Sequence, residues 1–341
     1  MSRTRSATPF GLTLAALTFV APVAADAPSV VTSIAPIHSL VATIMDGVGT
    51  PTLLVEGGRS PHVYTLRPSE AATLQAAGVI FWIGPGMESF LVKPLDSLAG
   101  DAKVVALHKA NGVTLLRYRE GGIWADHDDH DHDHDAHGTA EADGDHDVHH
   151  DHDEDDATDA EAHHHGANPY DMHIWLDPTN ARAMAATIVS TLSDADPANE
   201  ARYAANGATL DKKLARLDAD LAAQLSPIAE KPFIVFHDAY QYFENRYGLN
   251  AAGSITVDPD RKPGVQRLAE IRETIKDRGA VCVFSEPQFE PAVVRTVIEG
   301  TDARTGILDP LGSQLNAGPN AYSALMNDLA TSLTDCLSPA R

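Results

Sequence analysis

Short runs of β-branched and aromatic residues alternate along this chain with stretches of helical periodicity. SVVTSI (29–34), PTLLV (51–55), VIFWIG (79–84) and KVVAL (103–107) predict four strands in the first half. Helices are predicted around 36–46, 68–77 and 86–99. GVTLLRYRE (112–120) predicts a further strand, and a helix runs from Pro178 to Leu192. The second half resumes the rhythm with PFIVFH (232–237), AAGSIT (251–256), AVCVFS (280–285) and GIL (306–308). Its helices fall at 238–247, 263–277, 291–299 and 320–336. Strand and helix in alternation argue for parallel sheets flanked by helices.

One segment breaks the rhythm. Tyr203, Leu210, Leu214, Leu217, Leu221 and Leu225 keep to one face of a helix spanning 197–225, about 40 Å long. DPANE at its start supplies Asp196 as a cap and Pro197 in the first turn. Its place in mid-chain predicts a rigid strut. The fold expected is α/β, with two lobes, each a mostly parallel sheet flanked by helices, joined by this helix. The boundaries are 26–196, 197–226 and 227–341, each lobe long enough to bury its own core.

Composition adds a compartment. Arg3 and Arg5 precede an apolar run from Phe10 to Val20, and Val23-Ala24-Ala25 offers small residues for cleavage. Residues 1–25 therefore predict a secretory signal peptide, its apolar core too short for a membrane anchor. No cysteine precedes Cys282, so no lipid-anchored cysteine is expected, and a free periplasmic protein is. In that oxidising compartment Cys282 and Cys336 predict a disulfide between a strand and the C-terminal helix, worth ~4 kcal/mol on the chain-entropy model.

The net charge of −23 is local in origin. Of 48 acidic residues, 17 lie between Asp126 and Glu161, a stretch without Lys or Arg. No basic stripe serves nucleic acid. The tract opens with HDDHDHDHDAH and carries His127, His130, His132, His134, His137, His146, His149, His150, His152, His163, His164 and His165. Its composition buries too little surface to offset ordering, so 126–165 predicts a disordered loop. It reads either as a solvated spacer or as a low-affinity zinc collector or sensor, with transient imidazole contacts and a high local cation concentration.

Five histidines lie outside the tract. His237 closes the strand FIVF, and Asp309 follows GIL; ligands of open α/β sheets bind beyond the carboxyl ends of strands. His62 lies in the loop SPHVYTLRPSE and His173 in DMHIWLDP, directly before a helix. With the lobes facing each other, His62, His173, His237 and Asp309 form an N₃O set suited to Zn²⁺. His38, in the first turn of a helix, and His108, at a strand end, are read as structural. Glu286, in FSEPQF, is read as a helix cap or a support behind a ligand.

SPHVYTLRPSE, MHIWLDPTNA, VFHDAYQYFE and ILDPLG, in this order, resemble the periplasmic metal-binding proteins of ABC-type zinc and manganese uptake systems, over nearly the whole chain after residue 25. The resemblance implies two α/β lobes bridged by one long helix. It implies metal binding by His62, His173 and His237, with Asp309 or water completing the shell. It also implies delivery of Zn²⁺, as transported ligand, to a membrane permease by a monomer that is not an enzyme. A glutamate in place of His237 would mark the manganese branch. The acidic His-rich insertion and the C-terminal disulfide are similar to those of the zinc branch. Pro61 departs from zinc relatives with an acidic residue there, which leaves the fourth ligand open between Asp309 and water. Imidazole independently favours zinc or copper over manganese. The alternatives are a manganese or other divalent-metal carrier, a secreted zinc hydrolase with Glu286 as base, and a metal-dependent adhesin.

Overall fold

The computed structural model describes residues 27–119, 124, 169–256, 263–289 and 292–339. The leader expected at 1–25 and the tract 126–165, with all twelve of its histidines, lie outside the described residues.

Strands β1 (Val30–Thr32), β2 (Thr52–Leu53), β3 (Val79–Trp82) and β4 (Lys103–Ala106) form a parallel sheet in the order β2-β1-β3-β4. Strands β5 (Phe233–His237), β6 (Ala251–Thr256), β7 (Cys282–Ser285) and β8 (Arg304–Ile307) repeat it as β6-β5-β7-β8. In both sheets the chain first runs to one side and then crosses back. The switch crevice therefore opens beyond β1 and β3 in one half and beyond β5 and β7 in the other. Helices α1 (Ala35–Ile44), α2 (Pro68–Gln75), α3 (Val92–Leu98) and α4 (Pro178–Ala195) flank the first sheet. Helices α6 (Gln241–Tyr247), α7 (Val265–Arg278), α8 (Ala292–Ile298) and α9 (Ala321–Leu337) flank the second.

Helix α5 (Glu200–Leu225) is the long one, and all six predicted face residues are buried. It packs against α1 and α4 on one side and α9 on the other. Gly207 permits its close approach to α4, since a Cβ there would stand 2.4 Å from Cγ2 of Val189. Asp196 does not cap through its side chain. Its carboxylate instead accepts from Asn199 Nδ2 and the Tyr203 hydroxyl, each at 2.8 Å. The cap expectation missed this because Tyr203, one turn inside the buried face, competes for the same oxygen.

Strand periodicity decides the core. Val79 and Phe81 point to one side of β3, Ile80 and Trp82 to the other; Phe233 and Val235 oppose Ile234 and Phe236 in β5. The outward sets make two small separate clusters. The inward sets join one continuous core that runs through α4, α5 and α9. The halves thus share their largest core, where separate ones were expected. Cys282 on β7 is bonded to Cys336 on α9.

Among the described residues, 112–119 form no sheet strand. Their one bridge pairs Arg117 with Tyr170, supported by Tyr118 N–H to Pro169 O and Asp171 N–H to Leu116 O. Other donors go to side chains of distant segments, Leu116 N–H to the Tyr242 hydroxyl and Thr114 N–H to Asn180 Oδ1. The strand expected at 306–308 lies slightly earlier, at β8. No helix among the described residues is long and apolar enough to cross a membrane.

Candidate metal centre

His237 is the last residue of β5, at the switch crevice of the second sheet, and is buried. His173, also buried, stands where the chain turns into a short 3₁₀ segment, Ile174–Leu176, ahead of α4. His62, half-buried, arrives on the loop after β2. One nitrogen from each of the three lies within 4.8 Å of the others. Ring centroids are 5.2–5.9 Å apart. The rings close a cavity together with Ser60, Pro61 and Trp175 from the first half and Glu286, Gln288 and Phe289 from the second.

Two carboxylates fix the tautomers. Asp171 Oδ1 accepts from the His173 backbone N–H at 2.9 Å and from Nδ1 at 2.7 Å. Glu286 Oε1 accepts from His237 Nδ1 at 2.6 Å. With the proton held on each Nδ1, both Nε2 atoms turn lone pairs toward each other across 3.4 Å. Two neutral rings so posed repel unless a proton or a metal cation lies between them. The spacing matches the edge of a tetrahedron with bonds of about 2.0–2.1 Å to nitrogen.

Electrostatics run the same way. Burial, with His237 nearby, holds His173 well below the ordinary imidazole range. Burial also lowers His237, but Glu286, Asp238 and Asp171 lift it above its ordinary value overall. Burial pushes Asp171 up to about 7, against the pull of the His173 backbone N–H and Arg119. A divalent cation between the rings would relieve both the imidazole repulsion and the buried negative charge behind them.

Asp309 is placed otherwise. Its Oδ1 accepts from Gln288 Nε2 (3.0 Å), Leu311 N–H (3.1 Å) and Gly312 N–H (3.0 Å). Oδ2 accepts from the N–H (2.6 Å) and hydroxyl (2.7 Å) of Ser313. The carboxylate closes the Asp-Pro-Leu-Gly turn and does not join the three imidazoles. His38 Nε2 meets the Pro51 carbonyl at 3.2 Å, and His108 Nδ1 meets that of Ile83 at 2.6 Å, both outside the cluster.

Sequence reasoning missed Asp171, although DMH places an acid two residues before the histidine. It also missed Arg119, which crosses between the halves. Its guanidinium donates to Asp238 (3.1 Å from Nε) and Glu244 (2.5 Å from Nη1) and stacks on Trp124 at 3.5 Å.

The chain matches the family model described as zinc-uptake complex component A, periplasmic, over residues 30–336. It is 54% identical over 315 residues to the high-affinity zinc uptake system protein ZnuA of Brucella suis biovar 1 (strain 1330), covering 92% of this chain and 93% of that one. Identity is 42% over 332 residues with the protein of that description from Paracoccus denitrificans (strain Pd 1222), covering 96% and 98%. A crystal structure of ZnuA superposes with a TM-score of 0.70 at 25% identity, covering 92% of this chain and 100% of that one. A zinc-bound ZnuA deletion mutant lacking its residues 138–173 also gives 0.70 at 25% identity, covering 93% and 100%. With the family model spanning nearly all the described chain, this protein belongs to the periplasmic zinc-uptake component A family.

Proposed function

We propose that the chain captures one Zn²⁺ between the imidazoles of His62, His173 and His237 and delivers it to the membrane permease of an ABC transporter. The observation that carries the reading is the pair of facing Nε2 atoms, 3.4 Å apart, on rings each backed by a buried carboxylate, with His62 beside them. Three nitrogens favour zinc over manganese. Residues 1–25 serve as the export signal, and the protein works in the periplasm as a monomer. The lobes are 26–196 and 227–341, with 197–226 linking them. Residues 126–165 gather zinc weakly as an auxiliary collector or sensor.

Contacts between the halves support small movements during release. Trp175 Nε1 donates to Pro310 O at 2.8 Å, the Tyr322 hydroxyl to Trp175 O at 2.7 Å, and Tyr322 N–H bonds Ser39 Oγ at 2.9 Å.

Competition with a chromophoric chelator tests the reading. The mature protein should hold one tight Zn²⁺ in preference to Mn²⁺. His173→Ala or His237→Ala should each weaken that binding by more than about a hundredfold, beyond what loss of a supporting residue produces. Undiminished affinity in either variant removes that residue from the site. Deleting 126–165 should leave the tight ion and abolish the weak equivalents.

A further inference from the structure

The three imidazoles of the candidate centre are mounted differently. Asp171 and Glu286 orient His173 and His237 from buried positions. His62 comes on residues 54–67, between β2 and α2, a stretch with no helix or strand of its own. Its two flanks converge on one carboxylate. Glu70, in the first turn of α2 and only 7% exposed, accepts from the Tyr64 hydroxyl at 2.7 Å with Oε1. The same oxygen accepts from Arg67 Nε at 2.6 Å, and Oε2 accepts from the Arg67 N–H at 2.8 Å. From the other flank Arg59 lays its guanidinium over the Tyr64 ring, 4.6 Å from the centroid, with Nη2 3.9 Å from Glu70 Oε1. Phe90 packs on the same ring at 4.9 Å.

These ties are not equal. Water weakens both guanidinium pairs, since the Arg59 and Arg67 side chains are 41% and 53% exposed. The Tyr64–Glu70 bond is buried and ends on a charged oxygen, which makes it the strong one. Capping α2 needs only Oε2, on the Arg67 N–H; the bond from Tyr64 is surplus to the helix. Val63 is 59% exposed and Tyr64 6%, so Val63 faces out while Tyr64 turns inward on the same side as His62. Two residues of chain reach about 7 Å at most, so a fixed Tyr64 limits how far His62 can drift.

We infer that Glu70 is a positioning residue for metal binding, which acts through Tyr64 to hold His62 against the preformed pair of His173 and His237. The inference rests on the metal-centre reading above. Neither Glu70 nor Tyr64 lines the cavity that the imidazoles close, so the release of the ion is governed from outside it.

Stopped-flow chelation of the Zn²⁺-loaded mature chain provides the test. Tyr64→Phe removes one hydroxyl and keeps both the ring and the α2 cap. It should speed Zn²⁺ release about tenfold, as should Glu70→Ala. The double variant should match Glu70→Ala alone, because residues acting through one another are not additive. Glu88→Ala supplies the comparison: it removes a buried carboxylate elsewhere in the same half, and should lower the melting temperature without speeding release. Release from Tyr64→Phe at the wild-type rate would leave Glu70 a helix cap and overturn the inference. Equal acceleration in Glu88→Ala would do the same, by tracing the effect to general loss of stability. A wild type that holds no tight Zn²⁺ takes the metal centre down as well; tight binding with unchanged release in Tyr64→Phe defeats this inference alone.

Discussion

The two halves carry the same sheet order, and each places a buried glutamate beyond its third strand to hold the residue at the end of its first. In the N-terminal half Glu88 accepts from the Ser33 hydroxyl and the backbone N–H groups of Ile83 and Gly84, so both of its oxygens are engaged. In the C-terminal half Glu286 accepts from the backbone N–H and Nδ1 of His237 with one oxygen, while the other accepts no hydrogen bond of good geometry, the Tyr240 hydroxyl being its polar neighbour. One scaffold position is a closed tie and the other an open one. The difference lies in what stands at the end of the first strand: a hydroxyl that ends the network, or an imidazole that passes it on to a second nitrogen. Function here is the surplus of donors and acceptors that folding leaves unspent.

The C-terminal half also depends on a charge from its partner, and removing it should have the largest effect. Arg119 is 17% exposed at its side chain and faces Asp238 and Glu244, at 5% and 7%. Arg119→Met leaves those two carboxylates buried without a cation, which should cost about 3–5 kcal/mol in chemical denaturation. The N-terminal half has no such debt at Glu88, whose partners are a hydroxyl and two N–H groups. A loss below about 1 kcal/mol would mean that solvent reaches the cluster.

Exchanging the two glutamates should then separate stability from binding. Glu88→Ala strands three donors and should cost about 3 kcal/mol of stability, with Zn²⁺ affinity within about twofold of wild type. Glu286→Ala should weaken Zn²⁺ binding by roughly 10–100-fold with the smaller change in melting temperature. If both variants lose affinity equally, the halves are not functionally distinct at these positions.

Much of this was legible in the sequence because it depends on local pattern. The eight sheet strands and the buried face of α5 follow from periodicity, and the cysteine pair from an even count in an oxidising compartment. His237 and Glu286 were conspicuous as polar residues at the ends of apolar strands. What escaped depends on which distant groups meet. Asp309 sits where a ligand would be expected, but the backbone donors of residues 311–313 converge on it only once the turn has formed. Arg119 lies 119 residues from Asp238, and nothing near it announces the pairing. The shared core was misjudged because periodicity says which face is apolar and not what covers it.

Acidity offers a gentler probe of the same contrast. Burial raises Glu88 from its ordinary range to about 7, opposed by its hydrogen bonds. A carboxyl with a raised folded-state pKa stabilises fully below its unfolded value, about 4.5, and that contribution fades as pH climbs toward 7. In metal-free protein the stability advantage of wild type over Glu88→Gln should therefore shrink by on the order of 2 kcal/mol between pH 4.5 and 7. Ion binding should depend on pH in the opposite sense. His237 is raised, so protons compete with Zn²⁺ from above the ordinary imidazole range downward, and affinity should fall as pH falls. A flat affinity between pH 8 and 5.5 would contradict the neutral-imidazole site.

The smallest effect expected lies where the first half reaches across to the second. Gly57 and Gly58 both have φ near +70°, four to five residues before His62. A Cβ on Gly57 would meet nothing within 4 Å, whereas one on Gly58 would stand 2.5 Å from Cβ of Ser313. Ser313 cannot step aside cheaply, because its N–H and hydroxyl both bond Asp309. Gly57→Ala should therefore cost only backbone strain, about 1 kcal/mol, and leave Zn²⁺ affinity alone. Gly58→Ala carries the same strain and also lifts the His62 loop away from the second half. Its Zn²⁺ affinity should fall roughly three- to tenfold, about 1 kcal/mol, through faster dissociation measured by stopped-flow chelation. Equal dissociation rates in the two variants would show that the Gly58–Ser313 contact does not set the position of His62.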